Sequence, residues 1–252
     1  MTSGKTVIAF DLYGTLLSTE SIAQELAKLF GEEKAPAIAA AWRRSVDQHL
    51  PQTEHTGQDA YFFQLEQYQT FSQVTRSSLK HALLEHKLDV TEKQENNLMQ
   101  AYDALHNFPE VPAALKLLSE KSDVVDPYIF SNGTVEMVGN SVKSSPDLGP
   151  HAGLFKAFIT VDSLKVYKPA MKVYEHLLSE VGKQGKSSDV WLVSANPFDA
   201  VGAKVAGLKA AWVDRAGKGW VDRLDPIHVP TIIATGVEDA VKGILAWTTD
   251  NH

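Results

Sequence analysis

The chain has 252 residues, 44% of them hydrophobic and 22% charged, enough to bury a full core as one large domain or as a domain with a small appendage. Its net charge of −7 and the lack of any Lys/Arg run provide no basic field to neutralise a nucleic-acid backbone. Cysteine is absent, which excludes disulfides, thiolate metal sites and a cysteine nucleophile, and agrees with a reducing compartment.

The opening Met1 to Thr6 is short and polar and leads into an apolar strand rather than a signal-peptide core. No apolar stretch approaches the ~20 residues of a membrane span. A cytoplasmic location without nucleic-acid or membrane partners is therefore expected. Thr6–Phe10 is a compact β-prone run, consistent with a strand buried on both faces, and it stops at Asp11. From Ser18 to Asn107 the pattern is helical almost throughout. Ile22, Leu26 and Phe30 form one apolar stripe and Ile38, Trp42 and Val46 another, with Leu79, Leu83, Leu98, Tyr102 and Leu105 further on. The Pro-Glu-Val-Pro stretch from Pro109 to Pro112 closes this segment, since proline disfavours helix for the residue before it.

Beyond it, helical patterns such as Pro112–Lys121 and Met171–Val181 alternate with short apolar strands. These strands are Tyr128–Phe130 ending at Ser131, Ala157–Thr160 ending at Val161–Asp162, Val190–Val193 ending at Ser194, and Ala210–Val213 ending at Asp214. Pro127, inside the signal of the Tyr128–Phe130 strand, suits the first residue of a strand better than its middle. Strands alternating with helices imply βαβ units and a parallel sheet, whose ligands bind beyond the carboxyl ends of the strands. Asp11, Ser131 and Ser194 fall there. The expected division is an α/β core of residues 1–17 and 108–252, with an all-helical cap of residues 18–107 inserted after the first strand.

The strongest local signal is Asp11-Leu12-Tyr13-Gly14-Thr15-Leu16 after a buried strand. Gly14 permits a sharp turn, and the following amides and the Thr15 hydroxyl can orient the carboxylate. Read alone, the hexapeptide also fits a strand-to-loop turn with a solvated aspartate. Further strand-end blocks are Ser131-Asn132-Gly133, Lys168-Pro169 and Ser194-Ala195-Asn196-Pro197-Phe198-Asp199. Together with the hexapeptide, these resemble the conserved blocks of the haloacid dehalogenase superfamily, and in detail its type II L-2-haloacid dehalogenase branch. Val166-Tyr167-Lys168-Pro169 followed by Val173-Tyr174-Glu175 is specific to that branch. The resemblance spans nearly the whole chain.

The resemblance implies a Rossmann-like parallel sheet flanked by helices, with the helical cap, and a hydrolytic dehalogenase acting on a small halogenated carboxylic acid without metal or cofactor. Asp11 would be the nucleophile, forming an aspartyl ester that water then cleaves. Lys168 would hold Asp11 and offset its charge. Ser131 and nearby backbone amides would grip the substrate carboxylate, with Leu12, Tyr13 and Tyr174 also among the substrate-binding residues. Asn132, Phe198 and Arg43 would cradle the departing halide, the Trp42-Arg43 pair pointing to Arg43 while Arg44 competes for the role. Asn196 and Asp199 would position and activate the water, and Ser194 would hold Asp199 or Lys168. Thr15, Tyr13 and Tyr174 are candidates for orienting Asp11 and closing the pocket, and Phe71 for an apolar wall. Each residue also has a plain reading as a surface charge, a packed aromatic or a loop hydroxyl. Homodimers are common in that family.

Most relatives in the superfamily transfer phosphoryl groups with Mg²⁺ and carry a second aspartate two positions after the nucleophile. Here that position is Tyr13, whose ordinary pKa near ~10 does not serve acid/base work at neutral pH. The last block offers Ser194 and a single carboxylate, Asp199, where Mg²⁺ prefers an oxygen-rich shell. A Mg²⁺-dependent phosphatase and a non-catalytic binding protein are the alternative readings. Gln52 to Ala60 stands as extra sequence relative to bacterial members, and Arg44, Ala195 and Phe198 occupy positions where the family commonly has other residues.

Overall fold

The computed structural model describes residues 4–49, 68–222 and 225–250. The Gln52 to Ala60 stretch lies outside the described residues. Strand β1 (Thr6–Phe10) is buried at every position, as is β4 (Val190–Ser194). Strands apolar on both faces belong in the middle of a covered parallel sheet, and these two are neighbours. With β2 (Val125–Ser131), β3 (Phe158–Thr160), β5 (Lys209–Val213) and β6 (Ile232–Ala234), they form a parallel sheet in the order β3-β2-β1-β4-β5-β6. The order reverses between β1 and β4, so a crevice opens where their carboxyl ends diverge. Phe10 pairs with Ile129 and with Val193, so Asp11 leaves the sheet beside the ends of β2 and β4.

β6 was not evident in the sequence. It is a three-residue edge strand with Ile233 half exposed, too short for periodicity to register. Pro127 is a correction as well: it is the third residue of β2, opposite Ile8. Its carbonyl accepts from the Lys156 amide on the β3 side, and pairing with β3 begins only at Ile129. In a parallel ladder a residue's N–H and C=O face the same neighbour, so the missing N–H of Pro127 points where no β3 partner yet stands.

Between β1 and β2 lie α1 (Ala23–Phe30), α2 (Ala35–His49), α3 (Phe71–Glu85) and α4 (Glu92–Tyr102). Reciprocal Thr/Gln capping boxes at Thr70–Gln73 and Thr91–Gln94 start α3 and α4. Ile22, Leu26, Ile38, Trp42, Val46, Leu79, Leu83, Leu98, Tyr102 and Leu105 are buried, and Phe30 is partly so. The outgoing and returning chains run side by side: Ser18 donates to the His106 carbonyl, and Phe108 donates to that of Leu16. Pro112 then sits in the first turn of α5 (Val111–Glu120), where its missing N–H leaves no orphan.

The sheet is flanked by α5, α6 (Val135–Ser144), α7 (Met171–Glu180), α8 (Pro197–Val205) and α9 (Val237–Asp250). The α7–α8 contact is close because α8 carries glycine where the helices meet. A Cβ on Gly202 would stand 2.5 Å from the Tyr174 hydroxyl and 2.7 Å from Pro169 Cβ. Overpacking of this kind typically costs about 1–3 kcal/mol. Gly202→Ala is therefore expected to lower Tm by roughly 2–10 °C in thermal unfolding; an unchanged Tm would show that the contact yields freely.

Candidate active site

Asp11 is only 7% exposed, and both of its oxygens are occupied. Oδ2 accepts from the Thr15 hydroxyl at 2.8 Å and from Asn196 Nδ2 at 2.9 Å, and Oδ1 accepts from Lys168 Nζ at 3.2 Å. The loop after β1 makes this possible. The Leu12 carbonyl accepts from the amides of Thr15, Leu16 and Leu17, and Gly14 turns the chain at φ +82°. That fold of the loop sends the Thr15 hydroxyl back to Asp11 while it accepts from the Ala195 amide at 3.0 Å.

The Lys168 ammonium is buried. It donates to Asp11, to Asp199 Oδ2 at 2.9 Å and to the Phe130 carbonyl at 2.8 Å, and lies 4.2 Å from the centroid of the Phe130 ring. Its backbone amide donates to Asn132 Oδ1 at 2.9 Å, which fixes the third block against the second. Burial alone would discharge the ammonium, but Asp11 and Asp199 outweigh it and hold its pKa above the ordinary 10.5. Asp199 sits in the first turn of α8, where the helix terminus favours a carboxylate. Its Oδ1 accepts from the Tyr174 hydroxyl at 2.8 Å. Burial, reinforced by Asp11 and opposed by Lys168, leaves the Asp199 pKa raised.

Asn196 is the N-cap residue of α8 yet does not cap it, which leaves both ends of its amide for the site. Its Nδ2 holds Asp11, and its Oδ1 accepts from Arg43 Nη2 at 2.9 Å. Arg43 also reaches the Tyr13 carbonyl and pairs through Nε with Asp47 at 2.9 Å. Its direction follows from its neighbour: Trp42 is buried, donating to the Thr75 carbonyl at 2.8 Å and packed 5.0 Å from the Tyr102 ring. One residue further round the helix, Arg44 pairs with Glu85 on an exposed face. A cavity of about 340 Å³, counted with its mouth to solvent, is walled by Asp11, Tyr13, Arg43, Ser131, Asn132 and Lys168 and by Asn196, Phe198 and Asp199, with Val46, Asp47 and Phe71.

Four expectations need correction. The Ser194 hydroxyl accepts from the Asn196 amide at 3.2 Å instead of engaging Asp199 or Lys168, because from the last position of β4 it closes the turn into α8. The Tyr174 hydroxyl serves Asp199 and is fully buried, so it neither orients Asp11 nor closes the cavity. The Tyr13 hydroxyl is paired with Ser141 at 2.8 Å across the interface with α6, so Tyr13 does not orient Asp11; its ring stacks on Phe71 and forms a wall. Burial pushes its pKa well above 10, which leaves it without an acid/base role. The Leu12 side chain is buried in the core and is not among the cavity's walls. Asp47 escaped the sequence reading, although its i,i+4 spacing from Arg43 is a signal for a helix-face ion pair.

A parallel sheet with an aspartate at its switch point, tied to a lysine from the loop before α7 and an asparagine at the start of α8, defines a Rossmann-like protein built around a carboxylate poised over the sheet's ligand edge. The chain belongs to the haloacid dehalogenase-like hydrolase family, whose model matches residues 5–207. It is 32% identical over 210 residues to haloacetate dehalogenase H-2 of Moraxella sp. (strain B), covering 83% of this chain and 86% of that one. It is 32% identical over 213 residues to the (S)-2-haloacid dehalogenase of Pseudomonas sp. (strain YL), covering 83% of each. Among solved structures it is similar to an L-2-haloacid dehalogenase with a TM-score of 0.79 and 27% identity, over 96% of this chain and 99% of that one.

The buried Lys168 ammonium has a folded pKa above the ordinary lysine value, so its contribution to stability is complete at neutral pH and is lost as pH rises through the folded value. Lys168→Met would leave Asp11 and Asp199 uncompensated, for which about 3–5 kcal/mol of destabilisation is expected at pH 8. A carboxylate whose folded pKa is raised penalises the fold fully above that value and not at all below the ordinary 3.8. The Tm gap between wild type and variant should therefore narrow from pH 8 to pH 5; a constant gap would contradict the charge account.

Proposed function

We propose that this chain hydrolyses the carbon–halogen bond of small 2-haloalkanoic acids, giving 2-hydroxy acids through an ester on Asp11. The observation that carries this reading is the buried Asp11 carboxylate, held by Thr15, Asn196 and Lys168, with Arg43 facing it across a small cavity. A carboxylate so fixed is oriented for displacement at carbon. The names of the relatives, haloacetate and (S)-2-haloacid dehalogenases, fit a cavity lined by Asp11, Arg43, Ser131 and Lys168.

In the first half-reaction an Asp11 oxygen bonds to C2 of the substrate, the carbon–halogen bond breaks, and its electron pair leaves as halide. Ser131 receives the substrate carboxylate. Arg43, Asn132 and Phe198 surround the leaving atom, where charge develops and preorganised donors matter most. In the second, water attacks the ester carbonyl carbon of Asp11. The water oxygen remains in the Asp11 carboxylate, the ester C–O bond breaks, and the 2-hydroxy acid departs with the original Asp11 oxygen, which takes up the water's other proton. Asp199 accepts the water's proton, a task helped by its raised pKa, and Asn196 guides the attack. Lys168 keeps the two carboxylates in place throughout, and Tyr174 orients Asp199.

In this reading residues 18–107 act as a helical cap over the core of residues 1–17 and 108–252. Arg43 and Phe71 in the walls beside Asp11 and Lys168 support that division. The enzyme works in the cytoplasm; among the described residues no helix is long and apolar enough to cross a membrane.

Halide release from two- and three-carbon chloro- and bromo-acids should survive EDTA. In rapid-quench assays Asp199→Asn should release up to one halide per site and then stall with the ester on Asp11, since general-base help is typically worth about 10²- to 10⁴-fold. Arg43→Ala should suppress the burst itself by ~10²- to 10³-fold, whereas Arg44→Ala should not. A full burst from Arg43→Ala with none from Asp199→Asn would overturn this division of labour, and Mg²⁺-dependent phosphate release exceeding halide release would overturn the reaction.

A further inference from the structure

Arg215, two residues beyond β5, reaches back across the sheet's carboxyl edge to the loop that carries Asp11. Its Nη1 donates to the Gly14 carbonyl at 3.1 Å and its Nη2 to the Thr15 carbonyl at 2.7 Å. Nε and Nη2 also donate to Glu110 Oε1 at 2.9 and 2.6 Å, and the guanidinium lies 3.5 Å from the centroid of the Phe108 ring. The planar fork thus engages two consecutive carbonyls and a carboxylate at once, a geometry that a lysine cannot reproduce. Glu110 is itself held in place: it accepts from the Val237 amide at 3.4 Å, and a Cβ on Gly236 would stand 2.6 Å from its Cγ.

Thr15 is the residue through which this arrangement meets the chemistry. Its side chain is fully buried and donates to Asp11 Oδ2, while its carbonyl is anchored by Arg215. The same guanidinium reaches Phe108 and Glu110, where the chain returns from the helical segment, and Phe108 donates to the Leu16 carbonyl. We propose that Arg215 is a positioning residue: by fixing the Gly14 and Thr15 carbonyls against Glu110, it sets the Thr15 hydroxyl and thereby aims the Asp11 oxygen at the reacting carbon. The inference rests on the ester mechanism proposed above. A residue in this role should affect the rate of the first half-reaction far more than substrate binding, because a displacement of about an ångström at the nucleophile can cost on the order of 10²-fold.

The test is a double-mutant cycle between Arg215→Met and Thr15→Val, read by the rate constant of the halide burst well below each variant's Tm. Arg215→Met is expected to slow the burst by roughly tenfold to hundredfold with KM changed by less than about threefold, and Arg215→Lys to recover part of the loss. The double variant should be no slower than Thr15→Val alone. A wild-type burst rate in Arg215→Met, or effects that multiply in the double variant, would overturn the proposal; Arg215→Lys enters the cycle instead if Arg215→Met does not fold. Absence of ¹⁸O from the Asp11 carboxylate after a wild-type turnover in H₂¹⁸O would sink the ester reading itself, and amide hydrogen exchange then judges the brace. Faster exchange at Thr15 to Leu17 in the Arg215 variant is expected, and unchanged exchange would overturn the proposal.

Discussion

An ammonium ion buried between two carboxylates is the constraint around which this site is arranged. Lys168 brings one positive charge to Asp11 and Asp199 in the interior, and removing it would leave two uncompensated carboxylates in a medium of low dielectric. The remaining polar groups divide between them: Thr15 and Asn196 take the free oxygen of Asp11, Tyr174 takes that of Asp199, and the Phe130 carbonyl takes a further ammonium proton. These groups come from the loops that leave the carboxyl edge of the sheet and from the first turns of α7 and α8, with the Phe130 carbonyl near the end of β2. The sheet order places these edges together, so the charge arrangement and the topology depend on each other.

Much of this was legible in the chain because the determinants are local. The compact β-prone run Thr6–Phe10, stopping at Asp11, marks β1. The stripe of Ile38, Trp42 and Val46 marked α2, and buried Trp42 determines that Arg43 faces the cavity while Arg44 faces Glu85. What the sequence hid was the direction of short hydroxyls. Ser194 bonds the Asn196 amide and Tyr174 bonds Asp199, and which neighbour each one bonds depends on sub-ångström positions that pattern and spacing do not encode.

One residue that was missed reaches the site across a long stretch of chain. Arg215 is about 200 residues from the carbonyls it holds, and no motif announces it; only the sheet order brings the end of β5 to the loop after β1. Pro127 was misread for the opposite reason: a sound local rule about proline in strands met a place where the neighbouring strand has not yet begun. Asp47 shows how a helix-face ion pair, ordinary at a surface, acquires consequence when it lines a cavity: it compensates part of Arg43's charge beside the nucleophile.

In the proposed reaction the attacking oxygen belongs to the protein and water acts only afterwards. The most direct measurement is a single turnover of a 2-chloro acid in H₂¹⁸O with enzyme in excess, followed by mass spectrometry of the peptide containing Asp11 and of the product. The account predicts one ¹⁸O atom in the Asp11 carboxylate and none in the 2-hydroxy acid. Label in the 2-hydroxy acid with an unlabelled Asp11 would mean that water attacks the substrate directly, and would contradict the role given to Asp11.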